Sequence, residues 1–133
     1  MKFLLDVNVL VAWGWANHTG HDQVTQWLSR MKQTSGNFFL TSAIPELGFV
    51  RVSGHRSVGL ISPEEAGRVL SGMLQTLGQQ HVFLPDDQSA TQWPAWCQTA
   101  NHTTDAHLLV LAQAHGAELA TLDQGIPGAY LIP

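Results

Sequence analysis

A chain of 133 residues, 44% of them hydrophobic, has material for one core and predicts one domain over residues 1–133, since domains most often run to roughly 100–150 residues. Its single cysteine, Cys97, excludes an internal disulfide, reads as a small buried residue rather than a nucleophile, and suits a reducing cytosol. A net charge of −4 argues against a general nucleic-acid coat. All six basic residues, Lys2, Arg30, Lys32, Arg51, Arg56 and Arg68, precede Asp86, Asp87, Asp105, Glu118 and Asp123, an asymmetry that allows a basic surface beside an acidic pocket.

The first apolar run, Phe3-Leu4-Leu5, stops at Asp6 as a strand buried on both faces would. Asp6 and Asn8 interrupt it where the core of a signal peptide should be unbroken, and no stretch approaches the ~20 apolar residues of a membrane span. The expectation is a soluble cytoplasmic protein. A short helix is predicted from Asn8 to about Trp15, and an amphipathic one from Gly20 to Lys32, with Val24, Trp27, Leu28 and Met31 at helical spacing. Phe38 to Thr41 reads as a second buried strand, after which Ser42 is placed to cap a helix through Glu46, Phe49 and Val50. In Ser62-Pro63-Glu64-Glu65 the serine suits an N-cap, the proline the first helical position and Glu65 a capping box. That helix runs through Val69, Leu70, Met73, Leu74 and Leu77, with Gly78 at the C-cap.

His81 to Leu84 is the third predicted strand, followed by a helix containing Pro94. Thr103 or Thr104 caps a helix from Asp105 to His115, stopped by Gly116. Glu118 to Leu122 is the fourth strand, ended by Asp123, and Tyr130 to Ile132 a fifth. Such alternation predicts an α/β fold with a parallel sheet and helices on both faces. Gly14 and Gly72, inside helices, read as points of close packing. The tryptophans, Trp13, Trp15, Trp27, Trp93 and Trp96, read as core or interface residues before base-stacking ones, and Trp13, Trp15 and Trp27 point to a groove or dimer face.

In an open parallel sheet, sites form outside the C-terminal strand ends, where the strand order switches. Asp6 and Asp123 end strands. Asp105 lies in the first turn of its helix, where the macrodipole favours negative charge, and Glu46 lies one turn into a helix that follows a strand. All four are thus placed near one sheet edge. Two carboxylates ~4 Å apart repel by about 4 kcal/mol at an effective dielectric of 20, so a cluster persists with protons or a cation in it. An oxygen-only donor set favours Mg²⁺ or Mn²⁺. Such an ion activates water and steadies a phosphodiester during in-line displacement. Taken singly, each acid also has a structural role open to it, Asp105 as a helix-start charge and Asp6 and Asp123 as turn formers.

Three segments, F-L-L-D-V-N-V-L, P-E-L-G-F-V-R-V and T-T-D-A-H-L-L-V-L-A-Q-A-H-G-A-E-L-A-T-L-D, resemble the PIN-domain toxins called VapC and cover most of the chain. The resemblance implies a three-layer α/β/α sandwich with a central, mostly parallel sheet of four to five strands. It implies a Mg²⁺- or Mn²⁺-dependent endoribonuclease acting as the toxin of a toxin–antitoxin pair, a homodimer, and neutralisation by a small antitoxin. Asp6 then matches the first metal-binding aspartate, Glu46 the helix glutamate, and Asp105 and Asp123 the two late acids. Asp6 and Asp105 would be direct ligands, Asp123 would complete the site directly or through water, and Glu46 would bind metal or position the attacking water. Asn8, Thr121 and Thr104 resemble polar residues that brace the quartet. Arg51 is a candidate for a phosphate contact or for a salt bridge to one of the acids. After Asp123 the chain departs from the pattern, with Q-G-I-P-G where a further charged residue is common.

Other constellations carry less. His18 and His21 could share a helix face, and His102 and His107 flank Asp105, but a zinc site needs three or four converging ligands and Cys97 is alone. Receivers and haloacid-dehalogenase-type phosphatases both rely on a late lysine, and none follows Lys32. An RNA-processing nuclease without an antitoxin, and a non-catalytic interaction module on the same fold, remain as alternatives.

Overall fold

The computed structural model describes residues 1–133. Five strands, β1 (Lys2–Leu5), β2 (Phe38–Thr41), β3 (His81–Phe83), β4 (Glu118–Thr121) and β5 (Tyr130–Leu131), form one sheet in the order β3-β2-β1-β4-β5, with every pair parallel. Five helices accompany them: α1 (Val7–Gly14), α2 (His21–Met31), α3 (Ala43–Arg56), α4 (Pro63–Gln75) and α5 (Thr103–Ala114). The chain steps from β1 to β2 to β3 in one direction, then crosses back to place β4 on the far side of β1. Right-handed crossovers put helices on one face during the outward steps and on the other during the return.

Side-chain alternation along each strand records those two faces. Phe3, Leu5, Phe39 and Ala120 pack with Val9, Leu10, Trp27, Phe49 and Leu70 from the first four helices. Leu4, Leu40 and Leu119 pack on the other face with Leu108, Leu111 and Ala112 of α5 and with Ile126 from the β4–β5 connection. The result is the expected three-layer α/β/α sandwich. Trp27 is fully buried, edge-on to Phe3 at 5.2 Å and to Phe39 at 5.9 Å between ring centroids, and donates its indole N–H to the Tyr130 hydroxyl at 3.2 Å. It is therefore core and cannot form the dimer face that its helix suggested. Trp15 is tied inward too, donating to Ser53 Oγ at 3.0 Å with the Arg56 guanidinium over its ring at 5.1 Å.

The predicted boundaries hold to within a residue or two for most elements, and three local expectations change. Ser62 caps α4 through a complete capping box, but Ser42 directs its hydroxyl to the Leu84 carbonyl at 2.6 Å and not to the start of α3. No helix forms around Pro94. Between β3 and the 3₁₀ turn at Ala100–His102 the chain runs through turns and irregular structure, pinned by His107 Nε2 on Asp86 at 2.7 Å and His115 Nε2 on Asp87 at 3.0 Å. Helix α5 begins at Thr103, two residues before the predicted start, with His102 at the N-cap position.

Close packing of α1 on α3 matters for the site. A Cβ at Gly14 would stand 2.7 Å from Phe49 Cε2, and one at Gly48 would stand 2.6 Å from Val7 Cγ2. Any larger side chain at either position pushes the helices apart. The contact seats Val7, the residue after Asp6, against Gly48, two residues past Glu46. Gly72, read as a similar contact, has nothing within 4 Å of its would-be Cβ.

Candidate active site

Asp6 leaves β1 at the C-terminal edge of the sheet, its backbone N–H held by the Ala120 carbonyl at 3.0 Å. It is the N-cap of α1, and its Oδ1 accepts from the Val7 N–H at 2.7 Å. The adjacent strand β4 ends on Thr121, which is fully buried and donates its hydroxyl to Asp6 Oδ2 at 2.8 Å. The Thr121 hydroxyl oxygen itself accepts from Asn8 Nδ2 at 3.1 Å and from the Asp123 backbone N–H at 3.0 Å. Asn8 Oδ1 in turn accepts from the Leu122 N–H at 3.2 Å. Thr121 is thus a hub that fixes Asp6, Asn8 and the start of the Asp123 loop in one arrangement. Asn8 and Thr121, expected to brace the acids, are hydrogen-bonded to Asp6 and to the Leu122–Asp123 backbone.

Asp123 is exposed, and its Oδ1 accepts from the Gly125 N–H at 2.8 Å, a side-chain-closed turn that orients the carboxylate. Asp105 stands on the first turn of α5, half-buried. Burial pushes the Asp6 carboxyl above the ordinary aspartate range. The hydrogen bonds from Thr121 and Val7 oppose that rise, and the charges of Asp105 and Asp123 add to it. Asp105 is raised first by burial and then by Asp123, with His102 opposing. These three acids therefore feel one another at the β1–β4 junction, where strand order switches, and none of them has an ion-pair partner among the three bridges of the molecule, Arg68–Glu64, His107–Asp86 and His115–Asp87.

Glu46 belongs to the neighbouring half of the same edge. Its Oε2 accepts from Thr41 Oγ1 at 2.6 Å, and the same Thr41 oxygen lies 2.7 Å from His81 Nε2. Thr41 is the last residue of β2, fully buried; His81 opens β3, two positions out of register with it but on the same face. Burial lowers the His81 pKa and Glu46 opposes that shift. Glu46 and His81 both line a cleft of about 710 Å³ floored by Leu70 and Leu74 of α4. Neither Thr41 nor His81 stands out in the sequence: Thr41 reads as the tail of an apolar strand and His81 as the head of another.

The charges of Asp105 and Asp123 reach Asp6, and Glu46 stands on Thr41 at the end of the neighbouring strand β2. As the side chains stand, no three of the acids, histidines or the cysteine close on a common point at metal-binding distance. The donor set itself fits a hard divalent cation: it is all oxygen, it has no cationic partner, and its deepest member is raised by burial and like charge. Thr104 makes no brace. It is exposed, while Thr103 Oγ1 bonds back to the Ala100 carbonyl at 2.7 Å. Arg51 is exposed and forms no salt bridge to any acid; it borders a cleft between α3 and the α3–α4 turn with Leu47, Val50 and Val58. Lys2 opens β1, and Lys32 borders a cleft with Phe38 at the start of β2, so both lie at the sheet edge opposite the acids. The basic residues do not form one surface beside the pocket. His18 and His21 are used locally, His18 Nδ1 accepting from the Gly20 N–H at 2.9 Å and His21 Nδ1 meeting the Ala12 carbonyl at 2.8 Å. No helix is long and apolar enough to cross a membrane.

The model of the PIN domain matches residues 3–130. Over 130 residues the chain is 38% identical to ribonuclease VapC39 of Mycobacterium tuberculosis, covering 95% of this chain and 91% of that protein. It is 38% identical over 126 residues to ribonuclease VapC38 of the same organism, covering 92% and 86%, and 33% identical over 139 residues to its ribonuclease VapC44, covering 97% and 94%. The strand order, the acids at the switch point and these likenesses agree: the chain belongs to the PIN-domain family, as a VapC-like member.

Proposed function

We propose that this protein is a Mg²⁺- or Mn²⁺-dependent endoribonuclease, the toxin of a VapBC-type pair, with residues 1–133 acting as one catalytic unit in the cytoplasm. The observation that carries the reading is the charge coupling of Asp6, Asp105 and Asp123 at the switch point, in a chain whose relatives are named ribonucleases.

Asp6, Asp105 and Asp123 would hold the cation, with Glu46 joining them or orienting water. A divalent ion so held supplies an activated water and charge neutralisation at the phosphodiester. The rest of the work falls to the chain. Thr121 keeps one proton on Asp6 Oδ2 and two donors on its own oxygen, so Asp6 presents a fixed carboxylate edge. The Asp123–Gly125 turn keeps Asp123 facing outward, where substrate approaches. Glu46, accepting from Thr41 through Oε2, has Oε1 left to receive a proton from the attacking water. Arg51, exposed one turn and a half along α3 from Glu46, is the proposed phosphate contact.

The partners that follow are RNA, a small antitoxin that blocks the site, and a second copy of the chain. The test is incubation of the purified protein with total RNA, with and without Mg²⁺ or Mn²⁺, and mapping of the cut ends. Discrete metal-dependent cuts are expected, and identical RNA profiles in all conditions would refute the reading. A small reading frame beside the gene whose product blocks cleavage separates a toxin from a stand-alone processing nuclease.

A further inference from the structure

We infer that His81 is a positioning residue for Glu46, acting through Thr41 as the end of a directed hydrogen-bond chain; the inference rests on the nuclease reading and deepens it. Three side chains from three elements are in line: His81 Nε2 to Thr41 Oγ1 at 2.7 Å, and Thr41 Oγ1 to Glu46 Oε2 at 2.6 Å. A hydroxyl has one proton, and a carboxylate only accepts. With Glu46 as a carboxylate, the Thr41 proton must lie toward Glu46. The proton between Thr41 and His81 must then belong to His81, which fixes the ring as the Nε2–H tautomer. Each donor strengthens the next, because a hydroxyl that accepts a hydrogen bond donates a better one.

Placement supports a role beyond packing. Thr41 is fully buried, so its hydroxyl has no water to turn to and points where the two partners hold it. His81 is half-buried, and with Glu46 it borders the 710 Å³ cleft between α3, α4 and β3. Glu46 has the longest side chain of the four acids and no hydrogen bond to the Asp6 network, so without this chain its carboxylate would sample several rotamers. Held through Oε2, it keeps Oε1 in one place at the C-terminal edge of the sheet. The order of the chain is the same as at Thr121, with histidine in the place taken there by Asn8.

The test uses His81→Leu, which fills the volume without a donor, and His81→Gln, whose amide nitrogen can reach the place of Nε2. Leucine is expected to lower kcat for RNA cleavage on the order of ten-fold, the lower end for losing an orienting partner, with KM within about two-fold. Glutamine is expected to restore most of it. In a Glu46→Ala background the leucine change should add nothing, since the residue through which His81 acts is gone. A full additional loss in that background, or an effect on KM alone, would overturn the inference in favour of direct RNA contact. Nitrogen-15 NMR of the metal-free protein gives a readout apart from activity: a neutral Nε2–H ring is expected, with its proton exchanging faster in Thr41→Val. The opposite tautomer in a protein that cuts RNA overturns the chain alone. No cleavage by the parent protein, with Nε2–H still held on Thr41, overturns the nuclease reading and the role of His81 in it.

Discussion

The two halves of the site are built the same way and differ in what surrounds them. In each, a parallel strand ends on a buried threonine whose hydroxyl is given to a carboxylate on the following segment or the next strand over: Thr121 to Asp6 at 2.8 Å and Thr41 to Glu46 at 2.6 Å. In each, that threonine oxygen also meets a side-chain nitrogen, Asn8 Nδ2 in one half and His81 Nε2 in the other. The β1–β4 half adds two further aspartates and a backbone N–H, and its central carboxyl is raised by burial and by like charge. The β2–β3 half holds one glutamate beside an open cleft. The first half is built to keep negative charge dense, and the second to keep one carboxylate aimed.

The largest expected effect comes from breaking the dense half. Asp6→Asn keeps the shape but removes the charge and one of the two oxygens that accept from Val7 and Thr121, and should lower RNA cleavage by more than about 100-fold, beyond what loss of an orienting neighbour causes. Single-turnover cleavage at saturating metal checks this, and parental activity would refute it. Thr121→Val strips the hub and should cost about 10- to 100-fold in rate. It should also cost about 1–3 kcal/mol of stability, because Asn8 Nδ2 and the Asp123 N–H lose their acceptor; urea unfolding measures the second. Thr41→Val, its counterpart in the aimed half, should reduce cleavage on the order of ten-fold, and an equal or larger loss than at Thr121 would reverse the ranking of the halves.

The smallest effect concerns pH. Asp6 and Asp105 have folded pKa values raised above the ordinary 3.8, so the folded metal-free protein binds more protons than the unfolded chain between the two values. Their contribution to stability is full below 3.8 and is lost as pH rises through the raised values. The metal-free protein should therefore melt at a higher temperature in Asp105→Asn, which gives up no side-chain hydrogen bond, than in the parent at neutral pH, and the two should converge as pH falls toward 4. A lower melting temperature for the variant at neutral pH would contradict the crowding of charge.

Sequence patterns exposed the dense half far better than the aimed one, for a physical reason. Asp6, Asp105 and Asp123 sit at ends of apolar runs or at a helix start, where local pattern marks them, and Asn8 and Thr121 lie within two residues of an acid. The chain from Glu46 to His81 joins residues five and 40 positions apart through Thr41, and only strand pairing brings them together. The same limit explains the segment around Pro94. Its residues carry no strong helical period, and the contacts at its start, Asp86 with His107 on α5 and Asp87 with His115 just past α5, are invisible until the chain has folded. Gly14 and Gly48 versus Gly72 teach the same lesson, since a glycine shows its reason only in the neighbour it admits. The strands and capping box, set by period and local chemistry, were readable throughout.

Binding of Mn²⁺ to the metal-stripped protein, followed by calorimetric titration alongside Asp6→Asn and Asp105→Asn, addresses the dense half most directly. Saturable binding by the parent that is lost in both variants is the predicted result. Equal binding by the parent and Asp6→Asn, or none by the parent, would contradict a cation site formed by these aspartates.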